Sequence, residues 1–183
     1  LIEEGVINRI IINKLAAKLS EARINYSFIT PENEDISLST RVSRANTINA
    51  FTGNSVFVSA HCNAGGGTGF EAYTSIGETK SDGIATIFIQ EVEKAFPEWR
   101  IRKDSSDGDP DKESQFYVLK NTSCPAVLLE FGFMDTLSDA VLIASEEGQN
   151  RYVEALFKAI QKISIYIFPV QLSQVLHEHE IDQ

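Results

Sequence analysis

Two strongly apolar stretches of this chain each end on a polar side chain. SVFVSA, residues 55–60, runs directly into His61, and PAVLL, residues 125–129, runs directly into Glu130. A third polar group, Glu4, opens a stretch in which Ile7, Ile11, Leu15 and Leu19 recur at every fourth position. An imidazole and two carboxylates are the residue types of metal-assisted hydrolysis. Zinc accepts imidazole nitrogen and carboxylate oxygen in a tetrahedral shell and keeps one position for water. A carboxylate outside that shell can take the water's proton. On that reading His61 and Glu4 are ligands and Glu130 is the base. Each residue also has a plainer role. Glu4 can serve the helix dipole, His61 can be a core histidine donating to a carbonyl, and Glu130 can be half of a salt bridge, since a buried carboxylate is costly unless paired. Spacing alone does not separate these readings, because no HExxH-type pair is present.

A cysteine nucleophile fits less well. His61 and Cys62 are adjacent, and neighbours on a strand point to opposite faces. Cys62 and Cys124 are the only cysteines, so there is no disulfide framework, and both read as small, buried, reduced thiols.

The elements that must position these groups follow from patterning. Residues 4–20 have the period of an amphipathic helix, and NYSFIT (25–30) alternates like a short strand. A polar loop (31–41) offers Ser37 or Ser39 as the cap of a helix carrying Arg41 to Ala50. Residues 55–60 and 69–75 read as strands, 82–96 as a helix stopping near Pro97, and 97–114 as an exposed polar loop. FYVLKN (116–121) reads as a strand or turn, 125–133 as a second apolar strand, and 135–163 as two helical stretches. SIYIF (164–168) suggests a further strand, and His177 and His179 fall in a tail. There is no internal repeat and no domain linker. Apolar strands alternating with amphipathic helices predict an α/β fold, a single domain whose sheet is covered on both faces. Sites in such sheets are built at the carboxyl ends of the strands.

Composition narrows the partners. A chain of 183 residues supports one domain with a sufficient core. A net charge of −10 argues against a nucleic-acid partner and against electrostatic attachment to an anionic membrane. It leaves room for an anionic polymer held in a locally basic cleft. No stretch approaches the roughly 20 apolar residues of a membrane span, and no signal-peptide pattern is visible.

EGVINR, EDISLSTRVSRAN, VFVSAHCNAGGGTGFEAY and FYVLKNTSCPAVLLEFGFMDT occur in that order. Together they resemble the zinc-dependent N-acetylmuramoyl-L-alanine amidases of the Amidase_3 family, peptidoglycan-cleaving enzymes of bacterial cell walls and phage endolysins. The resemblance implies a catalytic domain over residues 1–163 and a C-terminal extension or tail over 164–183. It implies a twisted, mostly parallel sheet of about six strands with helices on both faces, and one Zn2+ held by two histidines and a glutamate. Glu4 matches the glutamate ligand, His61 the second histidine ligand and Glu130 the catalytic glutamate, with Asn8 and Asn63 at positions near the site. The family's first histidine lies in a Gly-His-Gly motif after the first strand, upstream of the glutamate ligand. That strand and that histidine are expected to be missing from the chain, which begins only three residues before Glu4.

The implied reaction is hydrolysis of the amide between N-acetylmuramic acid and L-alanine in peptidoglycan, in a periplasmic or extracellular cell envelope. Arg100, Arg102 and Lys103 of the polar loop are then candidates to meet stem-peptide carboxylates. NAGGGTG (63–69) is a candidate for close backbone approach to the site. The competing expectation is a non-catalytic peptidoglycan-binding or regulatory domain on the same fold with an incomplete metal site. Retention of Glu4, His61 and Glu130 weighs against it, because idle buried charges are costly.

Overall fold

The structure, a computed structural model, describes residues 3–167. Two helices come first, α1 (Glu4–Glu21) and α2 (Leu38–Thr52), followed by β1 (Phe57–Asn63), β2 (Glu71–Thr74), α3 (Lys80–Ala95) and the two-residue β3 (Lys112–Glu113). The chain continues through a single helical turn, α4 (Tyr117–Asn121), then β4 (Ala126–Phe133), α5 (Leu137–Ala144) and α6 (Glu146–Ile167). Local chemistry sets several boundaries. The Ser37 side chain caps α2 by accepting from the Thr40 amide, and Gly53 ends that helix in the left-handed region. Thr79 and Asp82 form a reciprocal capping box at the start of α3.

The strand order is β1-β4-β2-β3, with β1–β4 and β2–β3 parallel and β2–β4 antiparallel. The described residues thus hold a mixed four-stranded sheet where a mostly parallel sheet of about six strands was expected. The mixture has a local cause. Only residues 64–70 separate β1 from β2, too few for the dozen or more residues of a parallel crossover. The chain therefore turns back.

Alternation along β4 divides the domain into two cores. Val127, Leu129 and Phe131 face α1, α3 and α6, among Ile11, Phe88, Val92 and Leu156. Ala126 and Leu128 face α2 and α4, among Val42, Ala45, Phe57 and Leu119. Tyr152 of α6 is fully buried against Phe70, Phe96 and Phe131, and its hydroxyl donates to the Phe131 carbonyl.

Two segments read as strands are not strands, and FYVLKN, read as a strand or turn, is a helical turn. NYSFIT is an irregular segment in which Tyr26 and Phe28 pack edge-on against each other at 5.5 Å and remain exposed, so its alternation marks no core face. FYVLKN contains the turn α4, where consecutive Val118 and Leu119 are both buried, which a strand facing one core does not allow. Residues 164–167 of SIYIF extend α6, because Ile160, Ile163 and Ile167 continue the helical spacing. His177 and His179 lie outside the described residues. Among the described residues no helix is long and apolar enough to cross a membrane.

Candidate active site

The register of three strands builds the site. His61 of β1 is opposite Glu130 of β4, and Glu130 is opposite Glu71 of β2. Residues directly opposed across a pair share a face, so His61, Glu130 and Glu71 form a row across the sheet at the carboxyl ends of β1 and β4. Parity along β4 puts Glu130 on the same face as Leu128, toward α2 and α4 and away from the larger core. Just past Glu130, β4 uses one more residue than β1 does, and Gly132 has φ +132° within this bulge.

Glu4 joins the row from the first turn of α1. Its Oε1 accepts from His61 Nδ1 at 2.9 Å, from the Cys62 amide at 3.2 Å and from Asn8 Nδ2 at 3.2 Å. A carboxylate only accepts, so the proton of this contact is on Nδ1, and Nε2 is hydrogen-bonded to Ser59 Oγ at 2.9 Å. The His61 contact, with the Cys62 amide, holds the Glu4 carboxyl below its ordinary pKa against the opposing effect of burial. The three residues singled out from sequence are therefore neighbours: Glu4 touches His61, and His61 flanks Glu130.

Glu130 is the unsatisfied member. Its Oε2 is buried and has no hydrogen-bond partner among the described residues. Burial pushes its carboxyl up to about 7, His61 pulls against that rise, and Glu4 and Glu71 add to it. Glu71 has the opposite fate. Burial alone would raise it, but Lys112 and Arg102 hold it below the ordinary carboxylate value. Asn63 Nδ2 and Tyr73 Oη also donate to Glu71 Oε2, at 2.7 and 3.1 Å. Cys62 points to the other face, into the larger core, with its thiol pushed up to about 12 by burial and by Glu4 and Glu130. It is no nucleophile at neutral pH. Cys124 is likewise free and buried.

The loop after β1 is tied down by two aspartates. Asp135 accepts from the amides of Gly65 and Gly66. Asp139, 1% exposed, accepts from the amides of Gly69 and Phe133 and from Thr68 Oγ1. A Cβ on Gly67 would run into the Phe133 ring, and one on Gly69 into the Arg100 carbonyl. Close approach in NAGGGTG is thus to the end of β4 and to residue 100.

Patterning alone left Glu71 and Asp139 unmarked. Glu71 carries a faint signal, a carboxylate between Phe70 and Ala72 in a short strand. Of the three loop cations, Arg102 meets Glu71, Lys103 pairs instead with Glu93 of α3, and Arg100 contributes its backbone, its carbonyl accepting from Phe70.

The donor set suits a divalent ion in kind. One imidazole and one carboxylate touch, and the proton between them is of the sort that metal binding releases. The orphaned Oε2 of Glu130 is beside them. Among the described residues no three His, Cys, Asp or Glu side chains are arranged to enclose an ion, so Glu4 and His61 make a two-donor site.

An α/β domain with an acid–imidazole row at its strand ends has the form of a strand-edge catalytic centre. The chain belongs to the Amidase_3 family, N-acetylmuramoyl-L-alanine amidase, which matches residues 1–162. It is 36% identical over 107 residues to the sporulation-specific N-acetylmuramoyl-L-alanine amidase of Bacillus subtilis (strain 168), covering 57% of this chain and 37% of that protein. It is 35% identical over 113 residues to the N-acetylmuramoyl-L-alanine amidase CwlM of Bacillus licheniformis, covering 61% of this chain and 40% of that protein. The chain therefore spans well under half the length of these two relatives. Among solved structures it resembles an N-acetylmuramoyl-L-alanine amidase from Clostridium difficile 630 at TM-score 0.77 and 27% identity, covering 88% of this chain and 83% of that one.

Proposed function

We propose that this protein is a zinc-dependent amidase that hydrolyses the bond between N-acetylmuramic acid and L-alanine in peptidoglycan, acting in the cell envelope, periplasmic or extracellular. Membership of the family supports the reaction class. The observation that carries the reading is the convergence of Glu4, His61 and Glu130, with a buried carboxylate oxygen on Glu130 that nothing satisfies.

Glu4 and His61 would hold the ion. Bound there, zinc supplies Lewis acidity to the scissile carbonyl and acidity to a water, whose pKa falls toward about 7 in favourable sites. The chain's own residues do the rest. Asn8 and the Cys62 amide orient the Glu4 carboxylate. Ser59 fixes the outer nitrogen of His61. Glu130, whose Oε2 has no partner among the described residues, would take a proton from water and return it to the leaving amine.

The test is zinc content together with release of L-alanine amino termini from purified peptidoglycan. Glu130→Gln is expected to keep zinc and lose roughly two orders of magnitude or more in turnover. His61→Ala is expected to lose zinc first. Equal zinc loss in both variants would overturn the roles. Neither zinc nor release in the unsubstituted protein would favour a non-catalytic wall-binding domain.

A further inference from the structure

The polar row continues past Glu71. Arg102 Nε and Lys112 Nζ both bind Glu71 Oε1, at 2.5 and 2.6 Å. Glu71 is 2% exposed, whereas the two cationic side chains keep 27% and 24% of their surface in solvent. One cation is enough to neutralise a buried carboxylate, and here there are two. The trio has a net charge of +1 at the edge of the candidate site, in a chain whose total is −10.

Arg102 is anchored from behind. Its amide donates to the Phe70 carbonyl at 2.8 Å, its guanidinium lies over the Phe133 ring at 5.2 Å, and its side chain binds Glu71 through Nε. Nη1 and Nη2 take no hydrogen bond among the described residues. The end of the guanidinium is therefore a positioned, unused fork, the donor geometry that matches a carboxylate in bidentate fashion. Lys112 Nζ retains further donors beside it.

The place of this fork fits the substrate. Glu71 is opposite Glu130, one strand step or about 4.8 Å away, on the side remote from His61. Of the two ways a muramyl peptide could cross the strands with its scissile amide at His61 and Glu130, the one that sends its peptide toward Glu71 brings a peptide carboxylate to the only side of Glu130 where the described row presents cations. Successive residues advance by about 3.8 Å, so a carboxylate on the residue after L-alanine comes within reach of Arg102. We propose that Arg102 and Lys112 form a carboxylate-binding subsite on the leaving-peptide side, which selects muramyl peptides whose second residue carries a free carboxylate. The inference rests on the amidase reading for the orientation of the substrate.

The test uses two ligands that differ in one group: N-acetylmuramoyl-L-alanyl-D-glutamate with its γ-carboxyl blocked as the methylamide and its α-carboxyl either free or amidated. Affinities are measured by calorimetry on the full chain in a Glu130→Gln background, which prevents turnover. The free acid is expected to bind at least about tenfold more tightly, the scale of a charge-assisted bidentate contact. That ratio should fall toward one in R102Q and partway in R102K, which keeps the charge and the Glu71 pairing but loses the fork. A ratio near one with Arg102 intact, or an undiminished ratio in R102K, would overturn the subsite. Turnover of peptidoglycan by the unsubstituted protein is read separately. Preference without turnover would remove the amidase reading and leave the subsite, and turnover without preference would do the reverse.

Discussion

Glu71 and Glu130 are directly opposed on β2 and β4, two carboxylates on neighbouring strands of one face. Like charges so placed repel, and the fold answers differently for each. Glu71 receives Arg102, Lys112, Asn63 and Tyr73. Glu130 receives nothing at Oε2. The contrast separates a carboxylate that holds an electrostatic framework from one left free to exchange a proton.

Glu130 makes stability depend on pH. Its folded pKa lies at about 7 against an ordinary 4.5. An acid raised in the folded state costs nothing below the unfolded pKa, and stability is lost as pH rises from there through the folded value. In metal-free protein at about pH 8, Glu130→Gln should therefore be more stable than the unsubstituted chain by roughly 3 kcal/mol, with the gap closing near pH 4. Urea midpoints across that range check this. A constant difference would show that Glu130 is not the titrating group.

Asp111 should behave in the same sense. It is 2% exposed, accepts from Thr74 Oγ1 through Oδ2, and leaves Oδ1 without an accepted hydrogen bond among the described residues. Burial, then the facing Asp109 carboxyl, push it well above the carboxylate range. Asp111→Asn keeps an acceptor for Thr74 and removes the charge. Its thermal midpoint is expected to exceed that of the unsubstituted chain above neutral pH and to match it in acid.

Asp139 has a structural role that charge removal should expose. It joins the amides of Gly69 and Phe133, and so fastens the loop after β1 to the end of β4. Both amides donate to the single oxygen Oδ2, so Asp139→Ala leaves two buried backbone donors without an acceptor. The expected loss is about 2–4 kcal/mol. Chemical denaturation measures it, and a loss under about 0.5 kcal/mol would contradict the assignment.

Two glycines should respond with opposite signs. Gly5 sits in α1 with open space around its Cβ position, so Gly5→Ala should stabilise by about 0.5–1 kcal/mol. Gly69 has φ +109°, and an added Cβ meets the Arg100 carbonyl. Gly69→Ala should destabilise by roughly 2–4 kcal/mol, combining backbone strain with overpacking. Paired denaturation curves decide both.

What was legible in the chain was local. Two apolar runs interrupted by a polar residue mark His61 and Glu130, which lie two and three residues before β1 and β4 end. The four-residue spacing of Ile7, Ile11, Leu15 and Leu19, with Glu4 one turn before Ile7, likewise marks one face of α1. What was not legible depends on pairing. Nothing within GFEAYT says that β2 lies beside β4 and runs against it, so the opposition of Glu71 and Glu130 had no sequence signature. Asp139 opens an ordinary helix by pattern, and only the fold brings the amides of Gly69 and Phe133 to it. NYSFIT misled because alternation reports one-sided burial, and Tyr26 and Phe28 bury each other instead of a sheet face.

The pairing of β4 with its two neighbours carries a consequence for how the protein can fail. Sliding β4 by a single residue would turn Glu130 into the packed interior and bring Leu129 or Phe131 out in its place. The interior and the reactive edge would be spoiled by the same error. Mispaired molecules are therefore too unstable to persist as sluggish enzymes, and a population of this protein should consist of competent molecules and unfolded ones, with little between.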